Sequence, residues 1–263
     1  MKQLKFLMVA LTLLMGVSLT SCLGDSDPTV TNVNFGRIIE SFPRMIIETP
    51  GGIKFTALNT MEMSLYSGDY VYFQYSYDSE QQKVDQNTKN IDANITILEK
   101  LTYNYCEPSD DKGESYENAT IIQMGEGADN GMGYNKVQFF YYDENRVILP
   151  LFFLMEKASK ESLDKHFFSL VYDENGTTAS DTDVVFYLRH NSMETKKKEA
   201  LIYSYKLFDI TTALHQFVAR TGKKPINVVI YTNETKNTTT DDLKEKKDEL
   251  TKYSLRYSEL FKE

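Results

Sequence analysis

The side chains best equipped for chemistry lie in one acidic loop. Asp173, Asn175, Asp181 and Asp183 stand between two strand-like runs and could offer oxygen ligands to a calcium ion. Their spacing is not that of an EF-hand, and the Glu that closes such a loop is missing. The same four residues also read as a plain β–β turn. The three histidines, His166, His190 and His215, are far apart in the chain. A zinc site could be built from them only by the fold, and packing roles are the simpler expectation. Gly125-Glu-Gly-Ala-Asp-Asn-Gly-Met-Gly133 looks like a nucleotide loop, but a dinucleotide fingerprint needs a helix after it, and a strand pattern follows from Lys136. Acid pairs for glycoside hydrolysis cannot be picked out from 38 acids, because their separation is set by the fold. GxSxG, HExxH, Walker and CxxC patterns are absent. No catalytic residue is assigned, and neither a metal nor a cofactor is expected.

One thiol has a clearer context. Lys2 and Lys5 precede an unbroken apolar run over residues 6–17. Secretory cores run to roughly 7–15 residues, whereas a spanning helix needs about 20. The run therefore reads as a cleavable export signal, residues 1–21. It ends Leu19-Thr20-Ser21-Cys22, which resembles the bacterial lipobox. That resemblance implies a diacylglyceryl group on the Cys22 sulfur, cleavage before it, and acylation of the new amine. The lipid bilayer is thus the expected partner, and residues 22–30 become anchor and tether. Asp25 and Asp27 within the tether resemble the surface-export signal of some Gram-negative lipoproteins, though a polar spacer would look the same. The expected location is the outer membrane, with display at the cell surface open.

Charge narrows the partners further. The chain carries -9, and losing residues 1–21 removes two lysines and no acids, which moves it to -11. Such a surface repels phosphate backbones, so nucleic acid is not an expected partner. Once Cys22 is lipidated, Cys106 is the only remaining thiol and cannot form an internal disulfide. It reads as a buried structural residue.

The elements that must hold these residues are mostly strands, as 18 Tyr, 15 Phe and no Trp suggest. Strand patterns at Val33–Glu40, Arg44–Glu48, Ile53–Ala57, 69–77 and 92–105 form a first unit, residues 31–106. The longest, 92–105, alternates with period two, interrupted by Glu99 on the apolar face and Leu98 on the polar one. Residues 107–117 are polar and read as a linker. The second unit, 118–263, has strand patterns at 119–124, 136–142, 146–154, 166–172, 183–190, 199–207 and 226–232. Pro150 inside the third of these predicts an edge or a bulge. Ile210, Ala213, Leu214, Phe217 and Val218 give one amphipathic helix, capped by Asp209 and Gly222. The tail is expected to make a polar excursion, then a strand at 251–258 that pairs with 226–232.

The fold class is therefore all-β: a five-stranded barrel, then an antiparallel β-sandwich with one short helix. The lipobox, the acidic tether, an opening strand reading Val-Asn-Phe-Gly-Arg-Ile, and the β-rich second unit together resemble the NigD-like lipoprotein family. That resemblance implies an OB-like first barrel and an immunity-like or other envelope role, and it offers no catalytic residue. The expected function is non-enzymatic binding of a protein or glycan partner at the envelope. A surface glycan-binding accessory and a carboxylate-dependent hydrolase remain as alternatives. Tyr72, Tyr141, Tyr142 and Tyr203 are the candidate sugar-stacking rings.

Overall fold

The computed structural model describes residues 28–59, 64–110, 119–125, 139–194, 200–235 and 250–261. The export segment, Cys22, most of the linker and the Gly-rich loop beyond Gly125 lie outside the described residues. So does the polar excursion over 236–249. No helix among the described residues is long and apolar enough to cross a membrane. The chain divides after Thr102 into two units.

The first unit is a closed barrel of β1 (Thr29–Glu40), β2 (Ile46–Glu48), β3 (Lys54–Ala57), β4 (Tyr70–Asp78) and β5 (Asn90–Leu101). The ring runs β1-β2-β3-β5-β4 and closes through β4 on β1. Every pairing is antiparallel except β3 with β5. This is the OB-like order expected from the resemblance. Alternation decides which side chains fill it. Ile91, Ala93 and Ile95 of β5 point inward beside Phe55, Val71, Phe73 and Tyr75, while Asp92, Asn94 and Thr96 stay in solvent. Phe55 meets Phe73 edge-on at 5.4 Å between ring centroids and Tyr75 at 4.3 Å.

Gly36 is where β1 passes closest to its neighbours. A Cβ there would lie 2.3 Å from Ile47 Cγ2 and 3.1 Å from both the Glu48 carbonyl and the Phe73 ring. Gly36→Ala should therefore destabilise the barrel by about 1–3 kcal/mol, the usual cost of overpacking. The urea midpoint would fall at constant slope, and an unchanged midpoint would show that the barrel can open there freely.

The second unit contains β6 (Tyr103–Pro108), β7 (Gln123–Met124), β8 (Phe140–Asp143), β9 (Arg146–Met155), α1 (Lys160–Leu163) and β10 (His166–Tyr172). It continues with β11 (Asp183–Ser192), β12 (Ala200–Asp209), α2 (Thr211–Thr221), β13 (Asn227–Thr232) and β14 (Thr251–Arg256). Its strands form one curled sheet in the order β14-β13-β11-β10-β6-β12-β9-β7, with β8 also on β9. β6 is the seam. Tyr103–Tyr105 pair with β12, and Cys106–Pro108 pair with β10. The two halves enclose one core. Val147, Leu149, Leu151 and Phe153 of β9 meet Leu170, Phe186, Val228 and Ile230 from the other half, and Ala213, Leu214 and Phe217 of α2 join them. Most pairs are antiparallel as expected, but β6 with β10, β6 with β12, and β11 with β13 are parallel.

Several boundaries differ from the sequence pattern. Residues 103–106, read as the end of the barrel, belong to the second sheet, and β6 extends through 107–108 of the expected linker. α1 was not foreseen; Ser159 caps it by accepting the Ser162 N–H at 3.2 Å. The N-cap of α2 is Ile210 rather than Asp209, although the Asp209 carboxylate still accepts the Thr211 N–H at 2.8 Å. Gly222 ends α2 in the left-handed conformation as expected. Val218 sits at the margin of the helix face and is exposed. Pro150 lies inside β9, but at the junction where β7 ends and β8 begins. Its carbonyl accepts the Gly125 N–H at 2.8 Å, so its missing N–H faces that gap, and no ladder bond is lost. β14 pairs antiparallel with β13, as the tail pattern predicted.

Candidate functional site

A cleft of about 290 Å³ opens between the β10–β11 loop and α2. The loop takes its shape from its own carboxylates. Asp173 Oδ1 accepts the backbone N–H groups of Asn175 (3.0 Å) and Gly176 (2.8 Å), and Asp181 Oδ2 accepts that of Thr178 (2.7 Å). Gly176 is required by contact: a Cβ there would lie 2.6 Å from Asp173 Oδ2. Asp183 Oδ1 accepts from the Asn227 side chain at 2.8 Å, which fixes the start of β11 against β13.

Asp173, Glu174, Asp181 and Asp183 line the cleft together with Tyr187, Gln216 and Arg220. Gln216 donates its amide to Glu174 Oε1 at 3.3 Å. Two buried polar atoms, Tyr172 Oη and Gln216 Oε1, have no hydrogen-bond partner of normal geometry. The two side chains are nevertheless close. Burial and the neighbouring Glu174 push the Tyr172 phenol up, and Gln216 opposes that shift. The four candidate calcium ligands do not gather around one point. Asn175 is not part of the lining, and among the described residues no three acid, His or Cys side chains gather as metal ligands. Asp173 and Asp181 are spent on the turns of their own loop, and Asp183 on the Asn227 side chain.

The histidines separate into one exposed and two buried. His215 lies exposed on α2. His166 and His190, 24 positions apart, meet in the core of the β10–β11 hairpin, with Nδ1 of the first 2.8 Å from Nε2 of the second. His166 Nε2 lies 2.9 Å from Glu194 Oε2, and neither side chain is exposed to solvent. The Glu194 carboxylate also takes the Ser162 hydroxyl of α1 and the Glu156 N–H at 2.9 Å. At the other end, His190 Nδ1 is 3.3 Å from the Thr120 carbonyl. Phe168 stacks on His190 at 4.3 Å and Phe153 packs against both rings. The pattern gave no hint of this chain. A loop of unknown register separates β10 from β11, and the Phe168–His190 pairing that sets it is visible only in the fold.

Cys106 is buried on β6, and desolvation, then Asp209 and Glu107, push its thiol well above the ordinary range. A thiol held protonated is a poor nucleophile, which fits a structural role. Of the candidate sugar-stacking rings, Tyr141 and Tyr142 are buried, while Tyr72 lies against Phe35 at 4.8 Å and Tyr203 against Phe152 at 4.5 Å.

The fold thus defines a two-unit all-β protein, an OB-like barrel followed by a curled sandwich with a small acidic cleft. Among solved structures it is similar to a candidate lipoprotein from Bacteroides fragilis, with a TM-score of 0.66 and 18% identity. That match covers 86% of this chain and 97% of the other. It is also similar to a protein of unknown function from Bacteroides vulgatus, with a TM-score of 0.55 and 11% identity, over 87% of this chain and 91% of that one. No family model and no curated protein matches the chain. At these identities the likeness is one of fold.

Proposed function

We propose that this chain is a lipid-anchored envelope protein of the NigD-like kind, which acts by binding a partner rather than by catalysis. The observation that carries the anchor is Cys22, placed directly after Leu19-Thr20-Ser21 and the apolar run over residues 6–17. The fold is consistent with the anchor, because β1 begins at Thr29. Seven residue steps of at most about 3.6 Å each confine the start of the barrel to within about 25 Å of the lipidated sulfur. The candidate lipoprotein of similar fold from Bacteroides fragilis supports the same reading. The binding role is supported by the open cleft, and by the lack of solvent access to the Glu194 and His166 side chains. An outer-membrane position facing outward is proposed on the acidic pair Asp25 and Asp27.

Cys22→Ala in the full chain should abolish incorporation of labelled palmitate and release the protein from the membrane fraction. Several acyl chains, each methylene contributing about 0.8 kcal/mol, hold an anchored protein almost permanently, so the shift should be near complete. Persistent labelling of the variant would overturn the proposal. Protease treatment of intact cells tests the facing: digestion supports outward display, and protection removes it.

A further inference from the structure

We propose that the touching rings of His166 and His190 form an acid-operated catch, which holds one end of the second unit closed at neutral pH and lets it open below about pH 6. Such a catch is separate from the binding role and the lipid anchor proposed above.

The facing nitrogens, Nδ1 of His166 and Nε2 of His190, lie 2.8 Å apart, which leaves room for one hydrogen between them. A second hydrogen would set N–H against N–H. The closed pair can therefore carry one positive charge but not two. In an opened chain both imidazoles take a charge once the pH falls below about 6.5. The open form then holds at least one proton more than the closed one. Stability rises with pH wherever the open form binds more protons, so across this window acid removes it. One proton of difference changes the closing equilibrium by up to about tenfold per pH unit.

The surroundings provide for a first charge and oppose a second. Glu194 Oε2 lies 2.9 Å from His166 Nε2, and both side chains are shut off from solvent, so the carboxylate can match one imidazolium. His190 instead meets the Thr120 carbonyl at 3.3 Å, the stacked ring of Phe168 at 4.3 Å and Phe153 at 5.6 Å. Lys206 of β12 places Nζ 5.5 Å from the centre of the same Phe168 ring, a cation that disfavours a further charge. Of the other charged neighbours, Glu156 at the end of β9 gives its N–H to Glu194, and Lys165 after α1 lies 3.9 Å from Glu161.

The catch joins parts of the chain that are otherwise far apart. Thr120 precedes β7, the two rings belong to β10 and β11, Glu194 follows β11, and the Ser162 hydroxyl of α1 donates to Glu194. Parting the rings frees all of these together and bares Phe153 and Phe168. The barrel is a built-in control. All three histidines lie in the second unit, and carboxylates ordinarily titrate near about pH 4.

The test is hydrogen exchange followed by mass spectrometry on the full chain in detergent micelles, from about pH 7.5 to about 5.5, with each rate divided by the intrinsic rate at that pH. Protection of peptides from α1, β10 and β11 should fall about tenfold or more, while barrel peptides keep theirs within about twofold. His190→Gln retains an acceptor for His166 and a donor for Thr120 but cannot titrate, so its protection should stay flat over the window. His215→Gln, at the exposed histidine of α2, should leave the fall as it is. Nuclear magnetic resonance of the histidine rings adds a measurement that needs no variant: His215 should titrate fully, and the buried pair should not reach two charges while the chain is folded. Protection indifferent to pH, an equal loss in the barrel, a fall that persists in His190→Gln, or full titration of both buried rings in the folded chain would each overturn the catch.

Discussion

Glu194→Ala is expected to lower the unfolding free energy of the second unit by about 3–5 kcal/mol, the range found when one partner of a buried charged pair is removed. The Glu194 carboxylate has no solvent access and lies 2.9 Å from His166 Nε2, an ion-pair distance without hydrogen-bond geometry. His166 in turn meets His190 at 2.8 Å, and His190 Nδ1 lies 3.3 Å from the Thr120 carbonyl. Removing the carboxylate leaves this buried polar row without the group at its end. Alanine also takes an acceptor from the Ser162 hydroxyl and the Glu156 N–H, so α1 and the turn before it lose their fastening to the segment after β11. Urea unfolding followed by circular dichroism measures the loss. Glu194→Gln, which keeps the volume and an acceptor, should restore part of it. A loss below about 1 kcal/mol for alanine would mean that the pair contributes no more than an ordinary surface bridge.

The second large effect is alkaline unfolding. Tyr141, Tyr253 and Tyr257 of the second unit are all buried, and desolvation is the first cause that raises each phenol above its ordinary value. Tyr257 adds to the shift at Tyr141, while Glu234 adds to that at Tyr253 and Glu144 to that at Tyr257. In the barrel, burial and then Tyr77 push Tyr75 up to about 12. The sign follows from linkage. A phenol whose folded value is raised keeps its proton while the unfolded chain loses it. Its stabilisation is whole below about pH 10 and drains away as pH climbs toward the folded value. Each phenol then removes up to about 1.4 kcal/mol per pH unit, so three in one unit approach about 4 kcal/mol per pH unit. Against a typical stability of about 5–15 kcal/mol, the second unit should unfold cooperatively only above about pH 11. Tyrosinate absorbance and circular dichroism should change together. Smooth ionisation around pH 10 with the dichroism intact would show that these rings are not held as described.

Much of this fold was legible from side-chain periodicity. β5 alternates so cleanly that its inward residues Ile91, Ala93 and Ile95 could be read directly, and the spacing of Ala213, Leu214 and Phe217 marked α2. The same alternation concealed the boundary between the units. Tyr103 and Tyr105 continue the phase of β5 across Thr102, and period two carries no record of which sheet a strand joins. The candidate site was legible only as a set of loop acids. Whether Asp173, Asp181 and Asp183 converge on an ion or cap their own turns depends on backbone geometry, and the turns won. The buried Glu194, His166 and His190 were invisible for a further reason. Polar residues inside a core break no pattern when their partners come from another part of the chain.

The seam strand β6 also governs the order in which the protein can acquire its structure. The barrel strands lie within residues 29–101 and pair mainly with close neighbours, so this part can close as soon as it exists. β6 comes next in sequence yet has nothing to join. The Tyr103 hydroxyl meets Asp209 across 106 positions, and the strand that takes Cys106–Pro108 is β10. Until both arrive, β6 is a strand with two bare edges. Loops that long are slow to close, so the second unit should trail the first by a wide margin during folding.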